Sequence, residues 1–194
     1  MKTAERQMLR PGPAHRHLFL VGFSGSGKST IGPLLARLTR CSFCDLDTGI
    51  ARAAGMSISD IFGKMGEKSF RALEKGLLTL ELKRRTRPTV LALGGGAFQD
   101  REIRQITQQA GVSIYLSCSK AELFRRLKDK TDRPLLQVRP RSGQTLRQAR
   151  IARIGRLLES RKANYLRADL TVSTTSLTPE EAAAKIAQKV KAMR

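Results

Sequence analysis

Residues 22–30 read GFSGSGKST, which fits the spacing G-x-x-x-x-G-K-[ST] with Gly22, Gly27, Lys28 and Ser29. Glycines let a backbone wrap so closely that consecutive N–H groups point inward at phosphate oxygens. A helix starting there adds its own unpaired N–H groups and partial positive charge. Gly25, Ser26, Gly27 and Thr30 belong to this cradle. In such loops the lysine reaches the β- and γ-phosphates and the serine hydroxyl ligates Mg²⁺. A nucleoside triphosphate with its metal is the first ligand these residues call for.

Other clusters bear on what receives the phosphate. Asp45 and Asp47, in DLD, end a predicted strand whose alternation puts both carboxylates on one face. One can hold Mg²⁺ through water while the other orients an acceptor hydroxyl or takes its proton. On spacing alone they also fit a strand-end turn with two solvated acids. Arg71 and Glu74, in FRALE, stand one helical turn apart, a spacing that favours an ordinary helix-surface pair. Gly94, Gly95 and Gly96 close another predicted strand where backbone could approach a ligand. Arg133, in RPLL, sits in a lysine-rich loop that reads either as a phosphate-closing lid or as plain basic surface.

The elements that must position these groups are legible as short apolar runs. HLFLVG (17–22), SFCDLD (42–47), TVLALGG (89–95), VSIYLS (112–117) and DLTVS (169–173) have strand length and composition. KSTIGPLLARLTR predicts a helix directly after the glycine loop, with Pro33 within its first turns, where proline is least damaging. SISDIFGKMG and EKSFRALEKGLLTLELKRR predict two more, the second with Phe70, Leu73, Leu77 and Leu80 at helical spacing. Ser119 with Glu122, and Thr178 with Glu181, fit capping boxes, and Pro179 stands where a first-turn proline belongs. Strands alternating with helices predict a parallel sheet covered on both faces, with ligands at the carboxyl ends of the strands. That gathers the glycine loop, DLD and GGG on one rim.

Composition bounds the rest. A chain of 194 residues with 40% apolar content suits one domain with a sizeable core. No apolar run approaches the ~18–20 residues of a membrane span. The stretch 1–16, MKTAERQMLRPGPAHR, lacks the apolar centre of a signal peptide and reads as a flexible leader to a domain over 17–194. A cytoplasmic protein is expected. Lys and Arg total 37 against 16 acids, a formal charge of +21 that attracts nucleotides, carboxylate metabolites or nucleic acid without choosing among them. Arg147, Arg150, Arg153 and Arg156 wind slowly around a predicted helix and read as a solvated face. No aromatic residues interleave for base stacking, so a nucleic-acid partner is not expected. Cys41 and Cys44 form a C-x-x-C that runs into a strand rather than opening a helix, so buried structural thiols are expected. His15 and His17 have no ligand-spaced neighbours, and no metal site is expected there.

In order along the chain, GFSGSGKST, FCDLD, SISDIFGKMGEKSFRALE, LALGGGA, RPLL and RKANY resemble the motif series of the shikimate kinases over residues 17 to 192. The resemblance implies a single-domain α/β P-loop kinase. Its five-stranded parallel sheet would be flanked by helices, with a substrate-binding helical region and a mobile lid over about 125–145. It implies ATP-dependent phosphorylation of the shikimate 3-hydroxyl by a monomer whose partners are ATP, Mg²⁺ and shikimate. Carried over by motif, Lys28 binds phosphates, Ser29 ligates Mg²⁺ and Asp45 supports the metal. Asp47 binds the substrate hydroxyls and accepts the proton. Arg71 and Arg161 hold the shikimate carboxylate, with the Gly94–Gly96 backbone, Gly95 above all, against a hydroxyl. Arg133 closes on the phosphates, and Arg126 and Pro179 flank the adenine. The chain departs from the pattern at Ala51, where the family often carries an acid.

Overall fold

Alternation within HLFLV sends Leu18 and Leu20 to one side of the strand and Phe19 and Val21 to the other. All four are buried, so β1 (His17–Val21) must be covered on both faces. The computed structural model, which describes residues 17–128 and 138–193, shows how this is done. The leader over 1–16 and Arg133 lie outside the described residues. Strands β2 (Ser42–Asp45), β3 (Thr89–Ala92), β4 (Gly111–Ser117) and β5 (Leu170–Ser173) join β1 in one parallel sheet, ordered β2-β3-β1-β4-β5. The apolar strands β3, β1 and β4 take the middle, and the more polar β2 and β5 take the edges.

Helix α1 (Lys28–Thr39) and, late in the chain, α7 (Pro179–Lys191) cover one face, where Ile31, Leu35, Ile186 and Val190 meet Leu18, Leu20 and Ile114. Helices α3 (Ile58–Arg84), α4 (Arg101–Ala110), α5 (Lys120–Leu127) and α6 (Leu146–Tyr165) cover the other. There Leu78, Ile103, Leu123 and Ile154 meet Phe19, Val21 and Leu91. A short helix, α2 (Leu46–Ala54), follows β2 and packs Ile50 with Ile61 and Phe70 of α3 in a small core of its own. This is the expected five-stranded parallel sheet with helices on both faces.

Several expectations need correcting. The strand before DLD stops at Asp45, and Asp47 stands in the first turn of α2 rather than on the strand. Asp45 caps that helix by accepting from the Thr48 N–H at 3.2 Å, and this local bond ends the strand early. The two predicted helices over residues 57–85 are merged into α3, with a break at Gly66 (φ 76°, ψ 169°) where the two sequence segments meet. Its buried side carries Phe70, Glu74 and Leu78, while Leu73 and Leu80 are exposed. Glu74 rather than Leu73 takes the buried place on this face.

The caps are a mixed result. Thr178 and Glu181 form the full reciprocal box. At α5 Ser119 accepts from the Glu122 N–H, but the Glu122 side chain turns to Arg125 and Arg126, and the Thr175 hydroxyl receives the Ser119 N–H instead. A further box, Thr145 with Gln148, opens α6. Arg147 lies over the Phe124 ring and Arg150 donates to the Lys128 carbonyl, so these two arginines of the series pack against α5 and its end rather than forming a purely solvated face. His17 opens β1, as its place in HLFLVG predicts. Cys118 is buried, whereas Cys41 and Cys44 are half-buried free thiols. Burial, with Glu81 beside it, pushes the Cys44 thiol up, away from reactivity.

Candidate active site

The carboxyl ends of all five strands open onto one rim. After β1, the loop turns through left-handed glycines Gly22 (φ 141°), Gly25 (φ 82°) and Gly27 (φ 100°) before α1 begins at Lys28. A side chain at Gly22 would place its Cβ 2.7 Å from the Leu116 carbonyl oxygen of β4, so the loop lies too close to its neighbour for any other residue. The Lys28 Nζ arches back over this loop and donates to the Gly22 and Phe23 carbonyls at 2.8 and 3.0 Å. It is nine-tenths buried, a positive charge held against the loop backbone. Ser26 is fully buried; its carbonyl accepts from the Thr174 hydroxyl at 3.1 Å, which ties the loop to the end of β5.

Next to Lys28, Ser29 Oγ donates to Asp45 Oδ2 at 2.5 Å. These are hard oxygen donors at a helix start, the chemistry a small divalent cation prefers. Among the described residues no three His, Cys, Asp or Glu side chains group to hold a metal unaided. A cation here would complete its shell from phosphate and water, as Mg²⁺ does. On the far side of the loop Arg126 bridges three elements. It donates to Glu122 Oε1 at 2.7 Å, to the Gly25 carbonyl at 3.3 Å and to the Thr174 carbonyl at 2.8 Å. The hydrogen bonds from Arg125 and Arg126 hold Glu122 down at about 2, so it remains an anion at any working pH.

These groups line a cleft of about 820 Å³ that runs from Asp45, Asp47 and Gly95, past Lys28 and Ser29, to Arg126 and Pro179. Gly25, Gly27 and Thr30 also line it. Of the residues expected to bind nucleotide, Ser26 is enclosed behind the loop rather than facing the cleft.

Beyond Gly95 the second half of the site is built around the glycine turn. Arg71 Nη1 pairs with Glu74 Oε2 at 2.7 Å and Nη2 with Glu67 Oε1 at 3.1 Å, and its guanidinium lies 5.2 Å from the Phe70 ring. A Cβ at Gly96 would stand 2.2 Å from Arg71 Nη2, and one at Gly94 would stand 2.1 Å from Glu74 Oε1 and 2.9 Å from Asp47 Oδ1. Glycine at both positions leaves room for these charged groups to approach the backbone. From the other side Arg161 donates to the Gly95 carbonyl at 3.1 Å, stacked 5.7 Å from the Phe23 ring. Tyr165, one turn further along α6, donates to the same carbonyl at 2.5 Å and is stacked on Tyr115.

Two arginines and Asp47 therefore converge on the Gly94–Gly96 turn at one end of the phosphate cleft. Sequence spacing treated Arg71 and Glu74 as a surface pair, yet Glu74 is fully buried. Burial drives its carboxyl up to about 7 against the pull of Arg71, with Asp47 and Asp100 adding to the rise. Tyr165, pushed up to about 12 by burial, was visible only as the tyrosine of RKANY. Thr174 carried no sequence signal, because its partner, the Ser26 carbonyl, is distant in the chain, and Glu122 was legible only as half of a capping box, whereas it braces Arg125 and Arg126.

A family model described as shikimate kinase matches residues 24–191. A shikimate kinase of Chlorobium chlorochromatii is 46% identical over 158 residues, covering 81% of this chain and 81% of its own. One from Chlorobaculum parvum is 42% identical over 181 residues, covering 91% and 95%. Among solved structures, shikimate kinase from Acinetobacter baumannii in complex with shikimate superposes with a TM-score of 0.84 at 32% identity, covering 94% of this chain and 96% of that one.

Proposed function

This chain belongs to the shikimate kinase family, and we infer that it transfers the γ-phosphoryl group of ATP to the 3-hydroxyl of shikimate, giving shikimate 3-phosphate and ADP. The observation that carries this reading is the convergence of Arg71, Arg161 and Asp47 on the glycine turn beside Lys28. Shikimate is a small carboxylate rich in hydroxyls. Planar guanidinium forks suit its carboxylate, and a carboxylate that only accepts suits its hydroxyls. A gluconate-type acid could be phosphorylated on the same fold, but the relatives named above are shikimate kinases.

In this reading the loop N–H groups and Lys28 take the β- and γ-phosphates, and Lys28 leaves the Gly22 and Phe23 carbonyls to do so. Ser29 and Asp45 fit Mg²⁺, which when bound neutralises charge on the phosphate oxygens. Asp47 orients the 3-hydroxyl and accepts its proton as the oxygen attacks phosphorus and ADP departs. Arg71 and Arg161 fix the ring by its carboxylate, so that the hydroxyl meets the γ-phosphorus in line. Arg126, braced by Glu122, and Pro179 flank the adenine. Arg133, within a lid over about 125–145, supplies the charge that closes on the transferring group. The reading includes a cytoplasmic monomer; among the described residues no helix is long and apolar enough to cross a membrane.

The test is a split between the two substrates. Arg71→Ala or Arg161→Ala should raise the shikimate KM by about ten-fold or more while the ATP KM stays within about two-fold. Normal shikimate saturation in both variants would overturn the carboxylate assignment.

A further inference from the structure

Arg71 already holds two carboxylates, and they differ in every respect that governs release. Glu74 is fully buried and bonded at 2.7 Å, so removing it from Arg71 would leave a carboxylate in an apolar site. Glu67 is 53% exposed, bonded at the longer 3.1 Å, and follows Gly66, where the helix is broken. When it lets go, water receives it. Arg71 does not need Glu67 to stay in place, because Glu74, the Phe70 ring and the Gly96 backbone already confine its guanidinium.

We propose that Glu67 is a place-holder for the acceptor's carboxylate: it occupies Arg71 Nη2 until an incoming carboxylate displaces it, and so sets the affinity an acceptor must exceed. This rests on the reading that Arg71 takes the acceptor carboxylate. With Nη1 held by Glu74, a carboxylate that comes to Nη2 meets Glu67 already there, and of the two partners the exposed Glu67 leaves at the smaller cost. A neutral polyol brings no charge with which to evict Glu67. Glu67 thereby discriminates against acceptors that match the hydroxyl pattern but lack the acid.

The experiment compares Glu67→Gln with Glu102→Gln, which removes the same charge from a 65%-exposed pair with Lys75 outside the cleft. Shikimate binding is measured by calorimetry, and both KM values and kcat by steady-state kinetics. Glu67→Gln should tighten shikimate binding by about two- to five-fold, the size of one exposed ion pair, with kcat and the ATP KM unchanged. Glu102→Gln should change neither. The effect should vanish when Glu67→Gln is combined with Arg71→Ala.

An unchanged or weaker shikimate affinity in Glu67→Gln would overturn the proposal and make Glu67 inert or an orienting partner of Arg71. An equal gain in Glu102→Gln would overturn it in favour of a general charge effect. If Arg71→Ala alone leaves shikimate binding intact, the carboxylate reading has failed and the place-holder fails with it. If Arg71→Ala weakens binding but Glu67→Gln does not strengthen it, only the place-holder is lost.

Discussion

At the scale of single residues, the site works by holding charges where water cannot relax them. Lys28 and Glu74 are both buried, one poised toward the phosphate loop and one behind Arg71. Glu74 has a measurable consequence for stability. Its carboxyl sits at about 7 in the fold against an ordinary 4.5. Between those values the native state binds more protons than the unfolded chain, so stability falls as pH rises through this window and levels off above about 7. Below 4.5 both states are protonated and the penalty is absent. Glu74→Gln carries no titrating group, so its Tm should gain on wild type as pH is raised from about 4.5 to about 7. Parallel Tm profiles for the two proteins would show that Glu74 titrates normally.

At the scale of elements, the Gly94–Gly96 turn joins the two halves of the site. Gly96→Ala would push a methyl group into the space of Arg71 Nη2, 2.2 Å away. The shikimate KM should rise by about ten-fold while ATP binding is spared, since Gly96 does not line the nucleotide cleft. Equal damage to both substrates would mean that the turn supports the whole rim. Much of this was legible in the chain. The five strands, the glycine loop and GGG could be read because apolar runs and glycine clusters are local signals. The break between two helical segments was legible for the same reason, since Gly66 falls where they meet. What sequence spacing missed turns on which of several competing partners a polar group takes, and on burial by a distant turn. Asp47 left the strand because Asp45 caps α2, and Glu74 entered the core because Arg71 and the glycine turn fold over it. Ser119 lost half of its box because Arg125 and Arg126 claim Glu122.

At the scale of the whole molecule, five parallel strands deliver their loops to one rim, and the chain's net charge of +21 attracts anions generally. Both substrates of the proposed reaction are anionic, so the charge needs no nucleic acid to account for it. The arginines of α6 are partly committed to packing against α5, through the Phe124 ring and the Lys128 carbonyl. The most direct test is ADP release from purified protein with Mg-ATP, in parallel with shikimate, with gluconate and with no acceptor, and with Lys28→Met as a control. The account predicts strong release that depends on shikimate, a product heavier by one phosphoryl group, and transfer abolished in Lys28→Met. Slow release indifferent to the acceptor would contradict it, leaving a nucleotide-binding protein whose acceptor half serves some other purpose.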